Sequence, residues 1–227
     1  MKVLAIETSG VTGSAALLEE TDVVAETRLD SSHRSAQSLL PAIDSQLKSV
    51  GWLPGDIQLV AVAQGPGSFT GLRVGVTAGK TLAYAVGAQL IGVNTLRIIA
   101  HQAPRDPQRV NAIINAHRGQ VFSAFFSTAP DARWDEESPT QIMDDELWLQ
   151  ECRVDTLVSG AGLKKLGPRL PAGIRVAAEP LWTPTAAVLG RLGYADFCGG
   201  RRDDIWQFVP QYFRKSAAEE KREPSEN

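Results

Sequence analysis

The chain has 227 residues, 43% of them hydrophobic and 22% charged, with a formal net charge of -3 and a pI near 5.7. That composition is ordinary for a globular protein of one large or two small domains, and its acidity excludes a protein that grips nucleic acid through a broad basic surface of its own. Cys152 and Cys198 lack metal-site spacing and are expected as free thiols in a reducing compartment, and no apolar stretch is long enough for a signal peptide or a membrane span, so a cytoplasmic location is expected.

The first apolar run, Lys2 to Glu7, ends in the turn-rich TSGVTG, and strands are predicted again over Ser14 to Leu18 and Val23 to Leu29. Ser35 to Val50 has helical periodicity, with Leu39, Leu40, Ile43, Leu47 and Val50 as its apolar face; Pro41 should kink it or mark where its regular part begins. A strand near Ile57 to Ala63, a glycine-rich turn, a helix to about Val86 and a strand near Gln89 to Val93 follow. The order β-β-β-α-β-α-β is that of a ribonuclease-H-like mixed sheet with helices on its faces.

The second half restarts the plan, because RVNAIINAHRGQVFSAFF (Arg109 to Phe126) lines up with KVLAIETSGVTGSAALLE (Lys2 to Glu19). A duplicated domain is therefore expected, with its boundary in QAPRDPQ: residues 1–105 as one domain, 106–214 as a degenerate second copy, and 215–227 as a polar, frayed tail. In the second half a strand is predicted over Thr156 to Gly160, a short helix over Leu163 to Leu170 and a closing helix over Ala186 to Phe197.

The block GPGSFTGLRVGVTAGKTLA (Gly65 to Ala83) stands where a strand hands over to a helix, a place where backbone N–H groups gather and anions bind. It fails the phosphate-loop spacing, since Gly79-Lys80-Thr81 looks back to Gly75 across three residues rather than four. Ser68 is not on a nucleophile elbow either, because Pro66 and Thr70 occupy the glycine positions. Gly71, Gly75 and Gly79 lie four apart on one helical stripe, so a tight turn followed by a helix pressed on a sheet explains them as well as a phosphate cradle does.

The segments LAIETSG, the stretch from His33 to LLPAI, GPGSFTGLRVG, IGVNTL and PQYFR follow one another in the order of the bacterial TsaB (YeaZ) family, which this chain resembles over most of its length. The resemblance implies the duplicated ribonuclease-H-like fold of the actin, Hsp70 and sugar-kinase group (ASKHA), whose members hold ATP between their halves. It implies a noncatalytic partner subunit of the TsaD-like enzyme that transfers threonylcarbamoyl to adenosine 37 of tRNAs reading ANN codons, with a TsaE-like ATPase recruited alongside. ATP and metal would belong to those partners and no cofactor to this chain; tRNA would be met only through the complex, and alone the chain would form a homodimer. Two departures bear on nucleotide chemistry: the first strand ends in Glu7 where the family usually has Asp, and the second half opens its turn with NAHRG (Asn115 to Gly119) in place of Asp-Ala-Arg.

The catalytic relatives carry metal-binding histidines just after the strand ending at Val93, where this chain places Thr95 and Ile99. His33, His101 and His117 are scattered and form no pair at helical spacing. The alternative reading, a nucleotide-dependent ASKHA enzyme or a metallohydrolase acting alone, would have to use Glu7, Glu179 and Asp196 as its acids. Under the partner reading the interface lies on two helices: Ser38, Ala42, Ser45 and Ser49 as a small-residue flank of the first, and Arg73, Val76, Thr77, Lys80 and Tyr84 on the outer side of the second. Arg118, Arg201 and Arg202 are the basic residues near turns that could meet tRNA.

Overall fold

The computed structural model describes residues 1–29, 35–104, 106, 108–128 and 134–214. His33 and the tail expected from Lys215 onward lie outside the described residues.

Strands β1 (Lys2–Glu7), β2 (Ser14–Glu19) and β3 (Asp22–Arg28) form an antiparallel meander, and β4 (Leu59–Gly65) and β5 (Gln89–Asn94) add to β1 in parallel, giving the order β3-β2-β1-β4-β5. The parallel links require crossovers, supplied by helices α1 (Ser35–Ser49) and α2 (Phe69–Val86). Alternate residues point to opposite faces of each strand, so Leu4, Ile6, Val60 and Val62 meet Leu39, Ile43, Leu47 and Val76 from the two helices. Val3, Ala5, Leu59 and Ala61 build a separate core on the other face.

Helix α1 runs on through Pro41, and Leu40, expected in the core, is half exposed. The apolar stripe of α1 is filled by Leu39, Ile43 and Leu47, which at 3.6 residues per turn leaves position 40 over the edge of the contact.

The second sheet contains β6 (Arg109–His117), β7 (Gln120–Thr128), β8 (Trp134–Glu136), β10 (Leu157–Ser159) and β11 (Arg175–Val176) in the order β11-β10-β6-β7-β8, with β9 (Gln141–Asp144) also paired to β7. β6 pairs antiparallel with β7 and parallel with β10, the same directions that β1 shows toward β2 and β4. Helix α3 (Thr95–Gln102) lies between the sheets: Ile98 enters the core of the first, while Leu96, Ile99 and Ala100 enter that of the second. The far face of the second sheet packs on α4 (Asp145–Glu151) and α5 (Leu163–Leu166) through Trp148, Leu163 and Leu166.

The closing helix α6 (Ala186–Cys198) does not remain with the half it follows in sequence. Ala186, Leu189 and Leu192 complete the core on the free face of the first sheet, beneath β1, β2, β4 and β5. Residues 203–212 then run along the first half as a strap, and Phe208 is buried in the core beneath α1 and α2. The strands of the first sheet lie before residue 95 and those of the second after residue 108, while residues 186–212 pack on the first sheet. A mixed sheet buries both faces, and in the first half α1 and α2 cover one while Ile98 of the short helix α3 covers only part of the other, which α6 completes.

Candidate functional site

The motifs that stand apart in the sequence converge at the carboxyl ends of β1, β4 and β5. Glycine explains how helix α2 comes to lie there. A Cβ on Gly71 or Gly75 would collide with the backbone oxygen or hydroxyl of Thr8, and one on Gly79 with Val62; on Gly67 it would stand 2.5 Å from the carbonyl oxygen of Ser9. The stripe exists so that the helix can touch the end of β1. Its start is tied down by hydrogen bonds: Ser68 N donates to Ser9 O (2.7 Å), Gly71 N to Ser68 Oγ (3.2 Å) and Thr8 Oγ1 to Gly71 O (2.8 Å). The β1 turn and the start of the helix are in direct contact through main chain and the Thr8 side chain.

Glu7 is wholly buried. Its Oε1 accepts from the backbone N of Ser9 (2.7 Å) and from the Ser9 hydroxyl, while Oε2 has no partner among the described residues. Burial pushes the carboxyl up to about 7, against the lowering effect of the Ser9 hydroxyl and amide. The other acids considered for catalysis are placed differently. Asp196 forms a two-pronged ion pair with Arg97 (2.7 and 2.8 Å) and a further contact with Arg201 (3.1 Å), and Glu179 is exposed in a short turn. Thr95 and Ile99 are both fully buried on α3, and His101 Nδ1 donates to Arg97 O (2.9 Å). Among the described residues no three His, Cys, Asp or Glu side chains gather as a metal site, and no helix is long and apolar enough to cross a membrane.

The expected interface residues fall into three groups. Ser45, Ser49, Arg73, Thr77 and Tyr84 are exposed; Ser38, Ala42 and Lys80 are half-buried. Val76 is a correction: it is 4% exposed and belongs to the core, because α2 buries a stripe wide enough to meet α1 as well as the sheet. Arg73, Lys80 and Tyr84 all engage the strap. Arg73 Nε donates to Tyr212 Oη (2.9 Å) with its guanidinium 4.0 Å from the Phe69 ring, Phe69 stacks on Tyr212 at 4.8 Å, Lys80 Nζ donates to Phe208 O (2.9 Å), and Tyr84 meets Trp206 edge-on at 5.2 Å. Such cation–aromatic and edge contacts contribute about 0.5–1.5 kcal/mol each.

The strap is the part of this surface that sequence reasoning did not find. Its signal was present in PQYFR, but nothing in a single sequence says that Gln211 N reaches Gln64 O (2.8 Å) or that Gln64 Nε2 reaches Val209 O (2.8 Å). Of the basic residues considered for tRNA, Arg201 is paired with Asp196 and Asp203, Arg202 lies 3.6 Å over the Phe197 ring, and Arg118 is exposed in the β6–β7 turn.

Comparison with known proteins agrees with this geometry. A family model described as tRNA N6-adenosine threonylcarbamoyltransferase (TsaD) matches residues 29–134. The tRNA threonylcarbamoyladenosine biosynthesis protein TsaB of Bacillus subtilis is 38% identical, with 97% of each chain covered, and that of Escherichia coli is 28% identical, with 96% of each covered. YeaZ from Pseudomonas aeruginosa superposes with a TM-score of 0.79 at 25% identity, covering 93% of this chain and 99% of that one. With more than a third of its residues shared across nearly the whole of both chains, this protein belongs to the TsaB (YeaZ) family.

Proposed function

We propose that this chain is a noncatalytic subunit that binds a TsaD-like catalytic subunit, and with it a TsaE-like ATPase, for threonylcarbamoyl transfer to adenosine 37 of tRNAs reading ANN codons. The observation that carries the reading is the sealed end of β1: Glu7 is buried and closed off by Ser9, and α2 packs directly against Thr8 and Ser9. The matching order and directions of the two sheets support a duplicated ribonuclease-H-like origin of the ASKHA kind.

On this reading the docking face is the exposed side of α1 and α2, with Ser38, Ala42, Ser45 and Ser49 on one helix and Arg73, Thr77, Lys80 and Tyr84 on the other. Val76 supports it from beneath. The same face would pair two copies of this chain when the catalytic subunit is absent, and the protein would work in the cytoplasm, meeting tRNA only through the complex. The test is reconstitution: the chain by itself should turn over no ATP and modify no tRNA, and should restore transfer when added to a TsaD-like subunit, a TsaE-like ATPase, threonylcarbamoyl-adenylate and tRNA. Transfer at full rate without it, or ATP turnover by the isolated chain that is lost in Glu7→Ala, would overturn the assignment.

A further inference from the structure

Four consecutive residues near the end of the described chain touch both halves of the molecule. Gln211 and Tyr212 are held on the first half, by Gln64 and by the Arg73–Phe69 pair. Phe213 meets Phe122 of the second sheet edge-on at 6.1 Å, and Arg214 donates from Nη1 to Ala116 O (2.6 Å) and from Nη2 to Gln120 Oε1. Ala116 and Gln120 bracket the turn that joins β6 to β7.

That turn has an uncommon backbone. His117, Arg118 and Gly119 have φ of 61°, 52° and 77°, so two residues with a Cβ sit in the left-handed region beside a glycine that tolerates it. Such a conformation persists where its surroundings over-determine it. Here Asn115 Oδ1 accepts from His117 N (2.9 Å), Gly119 O accepts from Asp145 N (2.8 Å), and Arg214 holds the carbonyl before the turn and the side chain after it.

We infer that residues 212–214 form a mechanical link through which the outer face of α2 controls the β6–β7 turn. Tyr212 and Arg214 are separated by two Cα–Cα steps of about 3.8 Å, so a main-chain displacement that takes Tyr212 off Phe69 and Arg73 is passed on at short range to the contacts of Arg214 with Ala116 and Gln120. With Tyr212 seated the turn keeps its left-handed form; with Tyr212 released it relaxes. The link is a property of the chain alone and does not require the partnership proposed above, although anything seated on α2 beside Arg73 would act through it.

Hydrogen exchange read by mass spectrometry on the full chain tests this without any partner. Tyr212→Ala should speed exchange of amides 117–120 by about tenfold, and Tyr212→Phe, which removes only the hydroxyl that Arg73 engages, by about threefold, while the rest of β6 and β7 keeps its protection. Arg214→Ala should loosen the same turn directly and, by reciprocity, the amides of residues 209–212. Unchanged exchange in the turn for either Tyr212 variant that folds, or a uniform acceleration across both sheets, would overturn the link. So would an Arg214→Ala protein whose strap is as protected as in the parent.

Discussion

Gly92 and Phe208 share one volume. The Phe208 ring lies where a side chain on Gly92 would be, with Cε2 2.6 Å from the position of a Cβ, and the ring is 4% exposed. Gly92→Ala should displace the ring and cost about 1–3 kcal/mol, and Phe208→Ala about 3–5 kcal/mol. Because the cavity left by the second relieves the ring's clash with the methyl of the first, leaving only the Oε1 end of the Gln64 side chain to shift, the double variant should be less destabilised than the sum by at least about 1 kcal/mol in urea denaturation. Strict additivity would mean that the strap does not pack on β5 in solution.

The Glu7 carboxyl predicts a pH dependence of stability. Its folded value of about 7 lies above the ordinary 4.5, so between those values the folded state retains a proton that the unfolded chain gives up. The contribution is therefore full below about pH 4.5, declines as the pH rises toward 7 and is absent above it. Glu7→Gln, which cannot ionise, should remove this decline and be more stable than the parent at pH 8 by roughly 1–3 kcal/mol. Equal slopes of stability against pH for the two proteins would show that Glu7 is not desolvated.

Val76 and Thr77 are neighbours with opposite fates. Val76→Glu places a carboxylate in the core and should abolish the cooperative melt, whereas Thr77→Glu, on the exposed side of α2, should leave the melting temperature within about 2 °C. If the α1–α2 face is the docking face, Thr77→Glu should still weaken capture of a TsaD-like subunit by tenfold or more in a titration. Undiminished capture would move the interface elsewhere.

The two thiols should differ in reactivity. Burial pushes the Cys152 thiol up to about 11, and its Sγ lies 3.5 Å from Trp148 O; Cys198 is exposed at the end of α6. At pH 8 iodoacetamide should modify Cys198 at least about tenfold faster than Cys152, with the difference erased in denaturant. Peptide mass mapping over time measures both.

Much of the first half is legible in its residues. Alternating or continuous apolar runs bounded by turns place β1, β2, β4 and β5 within a residue or two, and the spacing of Gly71, Gly75 and Gly79 marks a helix that approaches its sheet closely. The second half is less so. α4 is seven residues long, β8 and β11 are three and two, and elements so short carry no periodicity of their own. Helix α3 is missed for another reason: its eight residues begin at Thr95, directly after β5 ends at Asn94, with no loop to mark the handover from strand to helix. Val76 fails because the buried stripe of α2 is wider than the glycines alone suggest.

The sequence by itself determined the family, the order of the main strands and helices, and the departure of Gly75 to Thr81 from phosphate-loop spacing, because motif order, periodicity and loop spacing are local properties of the chain. Tertiary structure alone decided that α6 and the strap return to the first half, that Glu7 is sealed beneath Ser9, and that Arg73, Lys80 and Tyr84 hold residues 206–212. Each of these joins residues far apart in the chain. Which distant surfaces meet is set by the need to cover both faces of a sheet and to pair buried polar groups, and neither demand is written in any one segment.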